Sequence, residues 1–303
     1  MGGGGSSGYH DVDARLVRQE AERRLAEQEL LADVNDYLAD LLREYNDRDA
    51  ETIKERLDEI LEAIGEEIRD VDRLLFGGSI AKHTYINGLS DVDALVVIAG
   101  DAGDSPEETL EAFADAIRAA LPGGSNLEVS VGNLAVTISY ADGTYIQLLP
   151  ARERNGVLSI ASEDGSGWRD VRPQKFAEKL TEVNQSTGGG VVPAVKLAKG
   201  LLDRLPESQR LTGYHVEAIA VDAFRDYDGA TNRPSMLRHL LDHAANAVLR
   251  PTADITGQSV RIDDHLGSAG SSHRKAIAAS IRRMVSRIDG AASVEDYKDL
   301  FGE

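Results

Sequence analysis

The chain has no cysteine among its 303 residues, which excludes disulfide bridges and thiolate metal sites. Lysine is also scarce. Only 8 of the 33 basic residues are lysine and 25 are arginine, against 52 acidic residues, for a formal net charge of -19. A protein that grips duplex nucleic acid needs a basic face to displace phosphate counterions, so strong nonspecific duplex binding is disfavoured. No apolar run approaches the roughly 18 residues of a membrane span, and the opening MGGGGSSGYH carries no apolar signal core. The expected compartment is the cytoplasm. A surface this acidic suits a salt-rich one, where self-repulsion is screened to within a few ångströms.

What is present divides into three parts. Residues 1–10 are Gly/Ser-rich and are expected to be disordered. Residues 11–185 begin with two amphipathic helices, over about Asp11–Tyr45 and Ala50–Asp70, whose apolar positions recur at helical spacing. The period then changes. Leu74–Phe76 is a short apolar entry, Ala94–Ile98 a buried strand and Glu107–Leu121 a helix stopped by Pro122-Gly123-Gly124. Two extended segments, Asn126–Tyr140 and Thr144–Pro150, flank Ala141-Asp142-Gly143, an Asp-Gly hairpin signal. After the break at 186-STGGG-190, residues 186–303 are mostly helical, over 191–205, 211–226, 234–248 and 270–288, with Val260–Ile262 as a short extended piece. The fold class expected is α+β, with a helical C-terminal domain.

The chemistry concentrates in 76-FGGSIAKHTYINGLSDVDALVVI-98. On a strand, Asp91 and Asp93 share one face roughly 7 Å apart, while Val92 points into the core. Two carboxylates on that span can hold a pair of divalent cations, Mg²⁺ or Mn²⁺, of the kind that organises in-line displacement at phosphorus. Gly77 and Gly78 let backbone approach phosphate oxygens, and Ser79 adds a hydroxyl. Taken singly, Gly-Gly-Ser is a turn and Asp-x-Asp a solvated strand end. Together, eleven residues apart and running straight into Ala-Leu-Val-Val-Ile, they point to nucleotide chemistry, because carboxylates beside a buried strand are costly unless something neutralises them.

This segment resembles the nucleotidyltransferase signature of the cGAS-like and oligoadenylate-synthase-like enzymes, the CD-NTases, which include the cyclic-oligonucleotide synthases of prokaryotic CBASS antiviral operons. The resemblance places Lys82 and Thr84 at the usual basic and threonine positions. It extends to 192-VPAVKLAKGLL-202, similar to the helix whose lysine contacts triphosphate, and to 211-LTGYHVEAIAVDAF-224 with its Tyr-x-aliphatic-Glu pattern. It also reaches 249-LRPTADITGQSVRIDDHLG-267, for roughly residues 70–267 in all. It implies a polymerase β-like palm closed by the helical domain, with nucleoside triphosphates in the cleft. It further implies two-metal transfer onto a ribose hydroxyl, release of pyrophosphate and closure into a cyclic di- or oligonucleotide. An effector is then reached through the product, and a regulatory protein partner is possible. One position departs from the pattern. The third metal carboxylate of the family falls three residues before the proline of 144-TYIQLLPA-151, where this chain has Gln147. A neutral amide coordinates a divalent cation more weakly. Glu128 could substitute, while Asp142 lies at the wrong end of the hairpin. A transferase for RNA or protein, and a catalytically degenerate nucleotide-binding module, are the alternatives.

Lys196 and Lys199, spaced i, i+3 on one helix face, are candidate triphosphate contacts, with a charged helix flank as the plain alternative. Lys199 is the better match to the family lysine. Tyr214 is a candidate base-stacking residue, or an aromatic buried along its helix. Trp168 suits anchoring a loop better than stacking on a base. His83 is either a turn residue or a substrate contact. His239 and His243, i, i+4 with no third ligand nearby in sequence, read as a helix surface.

Overall fold

The computed structural model describes residues 14–47, 50–67, 71–76, 78–87, 89, 91–98, 105–120, 127–162, 167–253 and 261–303. The expected disordered start, the Pro122-Gly123-Gly124 stop, Gly77 and Val260 lie outside these. Two helices lead, α1 (Ala14–Asn46) and α2 (Ala50–Glu67), followed by β1 (Val71–Phe76), the short α3 (Gly78–Ala81), β2 (Val92–Ile98) and α4 (Pro106–Ala120). Ser105 caps α4 by a reciprocal box: its hydroxyl accepts from the Glu108 amide at 3.2 Å, and the Glu108 carboxylate accepts from the Ser105 amide at 2.8 Å.

Five further strands complete a seven-stranded sheet: β3 (Leu127–Val131), β4 (Val136–Tyr140), β5 (Tyr145–Arg154), β6 (Val157–Ala161) and β7 (Trp168–Val171). The main path runs β1-β2-β5-β4-β3, and β6 pairs with β5 and β7. β2 and β5 are parallel, the other pairs antiparallel. The Asp142-Gly143 hairpin forms as expected, with Gly143 at φ +85. Asn126–Tyr140, expected as one extended segment, is broken by a turn after Val131 into β3 and β4. Pro150 lies inside β5, a poor place for a residue without an N–H. It is tolerated where pairing with β4 has ended at Leu148 and pairing with β6 begins at Ala151.

One sheet face is sealed by α2 and α4, through Leu57, Ile60, Ile64, Phe113 and Ile117 on Val92, Ala94, Val96, Ile146 and Leu148. By alternation along β2, Leu95 and Val97 face the other way, into a smaller cluster with Ala151, Leu158 and Val171. Asp93 shares that second face.

The remaining described residues are mostly helical: α5 (Pro173–Ser186), α6 (Val191–Asp203), α7 (Gly213–Ala223), α8 (Arg233–Ala247), α9 (Ser272–Asp289) and α10 (Val294–Phe301). Their core draws on both sides of the glycine break, because α1 contributes Val34, Leu38, Leu41 and Leu42 and α5 contributes Phe176, Leu180 and Val183. Fully buried Arg274 ties residues 248–250 and 263–267 to this core. Its guanidinium donates to the carbonyls of Val248 (3.0 Å), Arg250 (3.2 Å) and Gly267 (2.8 Å) and to Asp263 Oδ2 (2.7 Å). A buried charge satisfied this fully holds the residues it binds in place.

Candidate active site

Asp91 immediately precedes β2 and Asp93 is its second residue. The buried aliphatic run Ala94–Ile98 fixes the strand, and the strand fixes the direction of both carboxylates. Burial raises the pKa of Asp91, and burial reinforced by the Asp91 charge pushes Asp93 up to about 6. Two acids held this close raise each other's cost of ionisation. Gly78 shows how closely the Gly-Ser segment packs on them. Its φ is +52, and a Cβ added there would fall inside the Asp93 carboxylate. Glycine is required for the backbone angle and for the approach. The next amide, of Ser79, donates to Asp93 and counteracts part of the rise in its pKa.

Gln147 is level with Asp93 on the neighbouring parallel strand, and its Nε2 donates to Asp91 Oδ2 at 2.6 Å. The third position therefore steadies an aspartate. Among the described residues no group of three His, Asp or Glu side chains is placed to hold a metal ion. Glu128 pairs with Ser139 at the far strand β3, three strand spacings or about 14 Å from β2. Asp142 is engaged at the hairpin by Arg56 (2.7 Å), whose hydrogen bond holds its carboxyl well below the usual range.

The helical core supplies the opposite wall. Thr212 caps α7 by accepting from the His215 amide at 3.2 Å, a contact of about 1 kcal/mol in typical helices, and so sets the first turn that carries Tyr214 and Glu217. The Glu217 side chain is 1% exposed. Lys199 Nζ, from α6, donates to Glu217 Oε1 at 2.7 Å and to the Thr84 carbonyl at 3.2 Å. Lys82 and the Thr84 hydroxyl donate to the same carboxylate. Burial alone would raise the Glu217 pKa; Lys199 and Lys82 outweigh it and hold the carboxyl below its ordinary value. Burial lowers the pKa of Lys199, with Glu217 opposing. The Lys82 ammonium also lies 5.0 Å from the Phe176 ring and 5.2 Å from that of Tyr214, and the two rings pack at 4.8 Å.

These groups enclose a cavity of about 270 Å³ lined by Gly78, Ser79, Lys82, Asp91, Asp93, Lys199, Tyr214 and Glu217, with Leu89, Asp203, Leu211 and Gly213 completing it. The two aspartates face two lysines across it. Of the sequence candidates, Gly78, Ser79, Asp91, Asp93, Lys199 and Tyr214 meet here, and Gln147 joins through Asp91. Lys196 does not. It lines a separate cavity with His83 and donates to Asn46 Oδ1. Trp168 is at the start of β7 under the Arg152 guanidinium at 4.0 Å. His239 is bonded to the Ala223 carbonyl (2.8 Å) and His243 to Asp222 (3.1 Å). Glu217 is the participant that sequence reasoning left without a role. Its signal was the one acid within the apolar run Val216–Val221, three residues after Tyr214.

Comparison with known proteins agrees with this fold. Residues 32–184 match the Second Messenger Oligonucleotide or Dinucleotide Synthetase domain. Over 189 residues the chain is 32% identical to the cyclic AMP-AMP-AMP synthase of Escherichia coli strain MS 115-1, a stretch covering 59% of this chain and 58% of that relative. The fold is shared with the E. coli MS115-1 CdnC structure with ATP, at TM-score 0.61 and 17% identity, covering 90% of this chain and 92% of that one. It is shared likewise with the E. coli MS115-1 CdnC:HORMA-deltaN complex, at TM-score 0.63 and 18% identity, covering 82% and 89%. The polymerase β-like palm, its Asp pair and the matched domain together make this chain a member of the Second Messenger Oligonucleotide or Dinucleotide Synthetase family, the CD-NTases.

Proposed function

We propose that this protein condenses nucleoside triphosphates into a cyclic di- or oligonucleotide, the messenger of a CBASS-type antiviral response. The observation that carries the reading is the Asp91–Asp93 pair facing Lys82, Lys199 and Tyr214 across one cavity. In each condensation a ribose hydroxyl oxygen bonds to the α-phosphorus, the bond from that phosphorus to the bridging oxygen breaks, and pyrophosphate leaves; the hydroxyl proton passes to solvent. Lys199 and Lys82 balance triphosphate charge, the Gly78–Ser79 segment cradles phosphate oxygens, and the Tyr214 ring offers a base a stacking face. Leu89 and Leu211 add apolar surface to the cavity wall. The donor set fits divalent cations through Asp91 and Asp93, with Gln147 offering a neutral amide in the third place. Mg²⁺ or Mn²⁺ bound there supplies charge neutralisation at the reacting phosphate. Because Asp93 holds a proton below pH about 6, cation binding and turnover should fall off there.

Further parts of the reading rest on weaker supports. The relative at 32% identity makes cyclic AMP-AMP-AMP, which favours ATP as a substrate. The HORMA complex of a structural neighbour favours a regulatory protein partner, with an effector responding to the product. The net charge of -19 favours a salt-rich cytoplasm and disfavours a long duplex as partner. Among the described residues no helix is long and apolar enough to cross a membrane. The test is incubation of the pure protein with labelled triphosphates and Mg²⁺ or Mn²⁺ at low and high KCl. A nuclease-defined cyclic product supports the proposal; triphosphate bound but unconverted under all conditions refutes it.

A further inference from the structure

Two faces of α7 meet two different surroundings. Gly213, Tyr214 and Glu217 line the catalytic cavity. Ala218, Ile219 and Asp222, roughly 140° round the helix at 100° per residue, line a second hollow with Pro251, Thr252 and Ala253. His215 belongs to that second face. It is fully buried, directly after Tyr214 in the chain, and a buried imidazole needs polar partners.

Those partners come from far along the chain. Nε2 of His215 lies 3.1 Å from the Thr252 hydroxyl and 3.6 Å from Asp263 Oδ2. The Asp263 carboxylate pairs with the equally buried Arg274 at 2.7 Å, so it is ionised and can only accept. The imidazole proton therefore sits on Nε2, facing both oxygens. Burial, against the opposing pull of Asp263, lowers the His215 pKa and keeps the ring neutral. Thr252 is itself held. Its amide donates to Asp263 Oδ1 at 2.9 Å, and its carbonyl accepts from the Ile262 amide at 3.1 Å. Arg274 also donates to the Asp263 carbonyl at 3.0 Å. Through Arg274 and Asp263, α9 thus carries a fixed acceptor for the first turn of α7.

That turn needs an outside fixture. Glu217, further into the helix, is tied by three donors from other elements, on Lys82, Thr84 and Lys199. The Thr212 cap moves with the helix, so it fixes the shape of the first turn and not its direction. Rotating the turn by about 10° shifts a side chain 5–6 Å from the axis by about 1 Å, a displacement that can cost about a hundredfold where groups are held for reaction. We propose that His215 is a positioning residue for nucleotidyl transfer: its bond to Thr252, backed by Asp263 and Arg274, sets the direction in which Tyr214 offers its ring. In the synthase reading, on which this role rests, that ring stacks on the base of a bound triphosphate. The 249–267 segment then shapes the site although none of its described residues lines the catalytic cavity.

The test compares calorimetric affinities for ATP and for inorganic tripolyphosphate, each with Mg²⁺; the second ligand has the phosphates and no base. Thr252→Val keeps the shape and removes the acceptor, Thr252→Ser retains it, and His215→Leu removes the donor. Wild type should bind ATP more tightly than tripolyphosphate. In Thr252→Val and His215→Leu the ATP affinity should fall by about tenfold or more, the worth of one stacked base, while tripolyphosphate affinity stays within about twofold. Thr252→Ser should behave as wild type. Thr252→Val is isosteric and reports even if His215→Leu fails to fold. An ATP preference left intact in Thr252→Val, a matching loss of both ligands, or a Thr252→Ser protein as weak as Thr252→Val would each overturn the positioning role alone. Wild-type protein that binds neither ligand would refute the synthase reading and this role with it.

Discussion

Glu217 invites a decisive substitution, because one carboxylate there serves two lysines and a threonine from two parts of the fold. In Glu217→Gln the shape is kept and the charge removed. Lys199, whose side chain is 6% exposed, and Lys82, at 11%, are left facing each other without their shared counter-ion. Removing one partner of a buried ion pair costs about 3–5 kcal/mol. The amide oxygen can still accept one hydrogen bond, so the lower part of that range applies. For a chain of 303 residues, about 3 kcal/mol lowers Tm by roughly 5 °C. The same surplus of positive charge is what a triphosphate neutralises. The variant should therefore be destabilised when empty and recover disproportionately with ATP and Mg²⁺, showing a larger ATP-induced rise in Tm than wild type. Its pH profile should also change. In wild type, Glu217 is held below its unfolded pKa, so its contribution is present above that value and is lost as pH falls through the still lower folded value. Glu217→Gln lacks this acid-side loss. Thermal denaturation with and without nucleotide, from pH 8 down to about pH 2.5, tests all of this. A variant within about 1 kcal/mol of wild type, with an unchanged ATP-induced shift, would refute the view that Glu217 neutralises both lysines.

Asp91→Asn or Asp93→Asn should reduce cyclisation by at least about a hundredfold while raising the Tm of the metal-free protein at pH 7 by a few degrees, since like-charge repulsion is relieved; a destabilised Asp93→Asn protein would contradict the electrostatic reading. Wild-type metal-free protein should gain stability as pH falls through about 6, because Asp93, with its folded pKa raised to about 6, takes up its proton there before the unfolded chain does; this gain should be absent in Asp93→Asn. Gln147→Asp removes the donor to Asp91 and adds a third carboxylate, so Mn²⁺ affinity by calorimetry should rise about tenfold or more, and an unchanged affinity would show that this strand position does not face the cation. Raising KCl from about 0.1 to 2 M, which shortens the Debye length from roughly 10 Å to 2–3 Å, should raise Tm, and a flat or falling Tm would remove the salt-rich reading.

Much of this molecule is local in origin. The alternation in Asp91-Val92-Asp93 before five aliphatic residues sets a strand with both carboxylates on one face, whatever surrounds it. The Asp142-Gly143 pair sets a hairpin, because its backbone angles suit few other residues. The Asn155-Gly156 turn, at φ +53 and +77, was written just as locally. It is masked by the charged flank Arg152-Glu153-Arg154, which lacks the apolar alternation of a half-buried strand. The single net charge of -19 already argued against a duplex partner.

Tertiary structure decided the partners. Lys196 and Lys199 stand one turn of helix apart, and sequence spacing gives them nearly the same direction. Yet Lys199 meets Glu217 and Thr84 while Lys196 meets Asn46, because α1 and the turn after α3 pack against α6 at different heights. Glu217 acquires its role only when residues 133 to 135 positions away in the chain, Thr84 and Lys82, are brought onto it. Gln147 is likewise a neutral residue on a strand until parallel pairing of β5 with β2 sets it beside Asp91. Periodicity fixes which way a side chain points, since that depends on backbone geometry alone. What it points at depends on the packing of distant segments, and no local spacing encodes that.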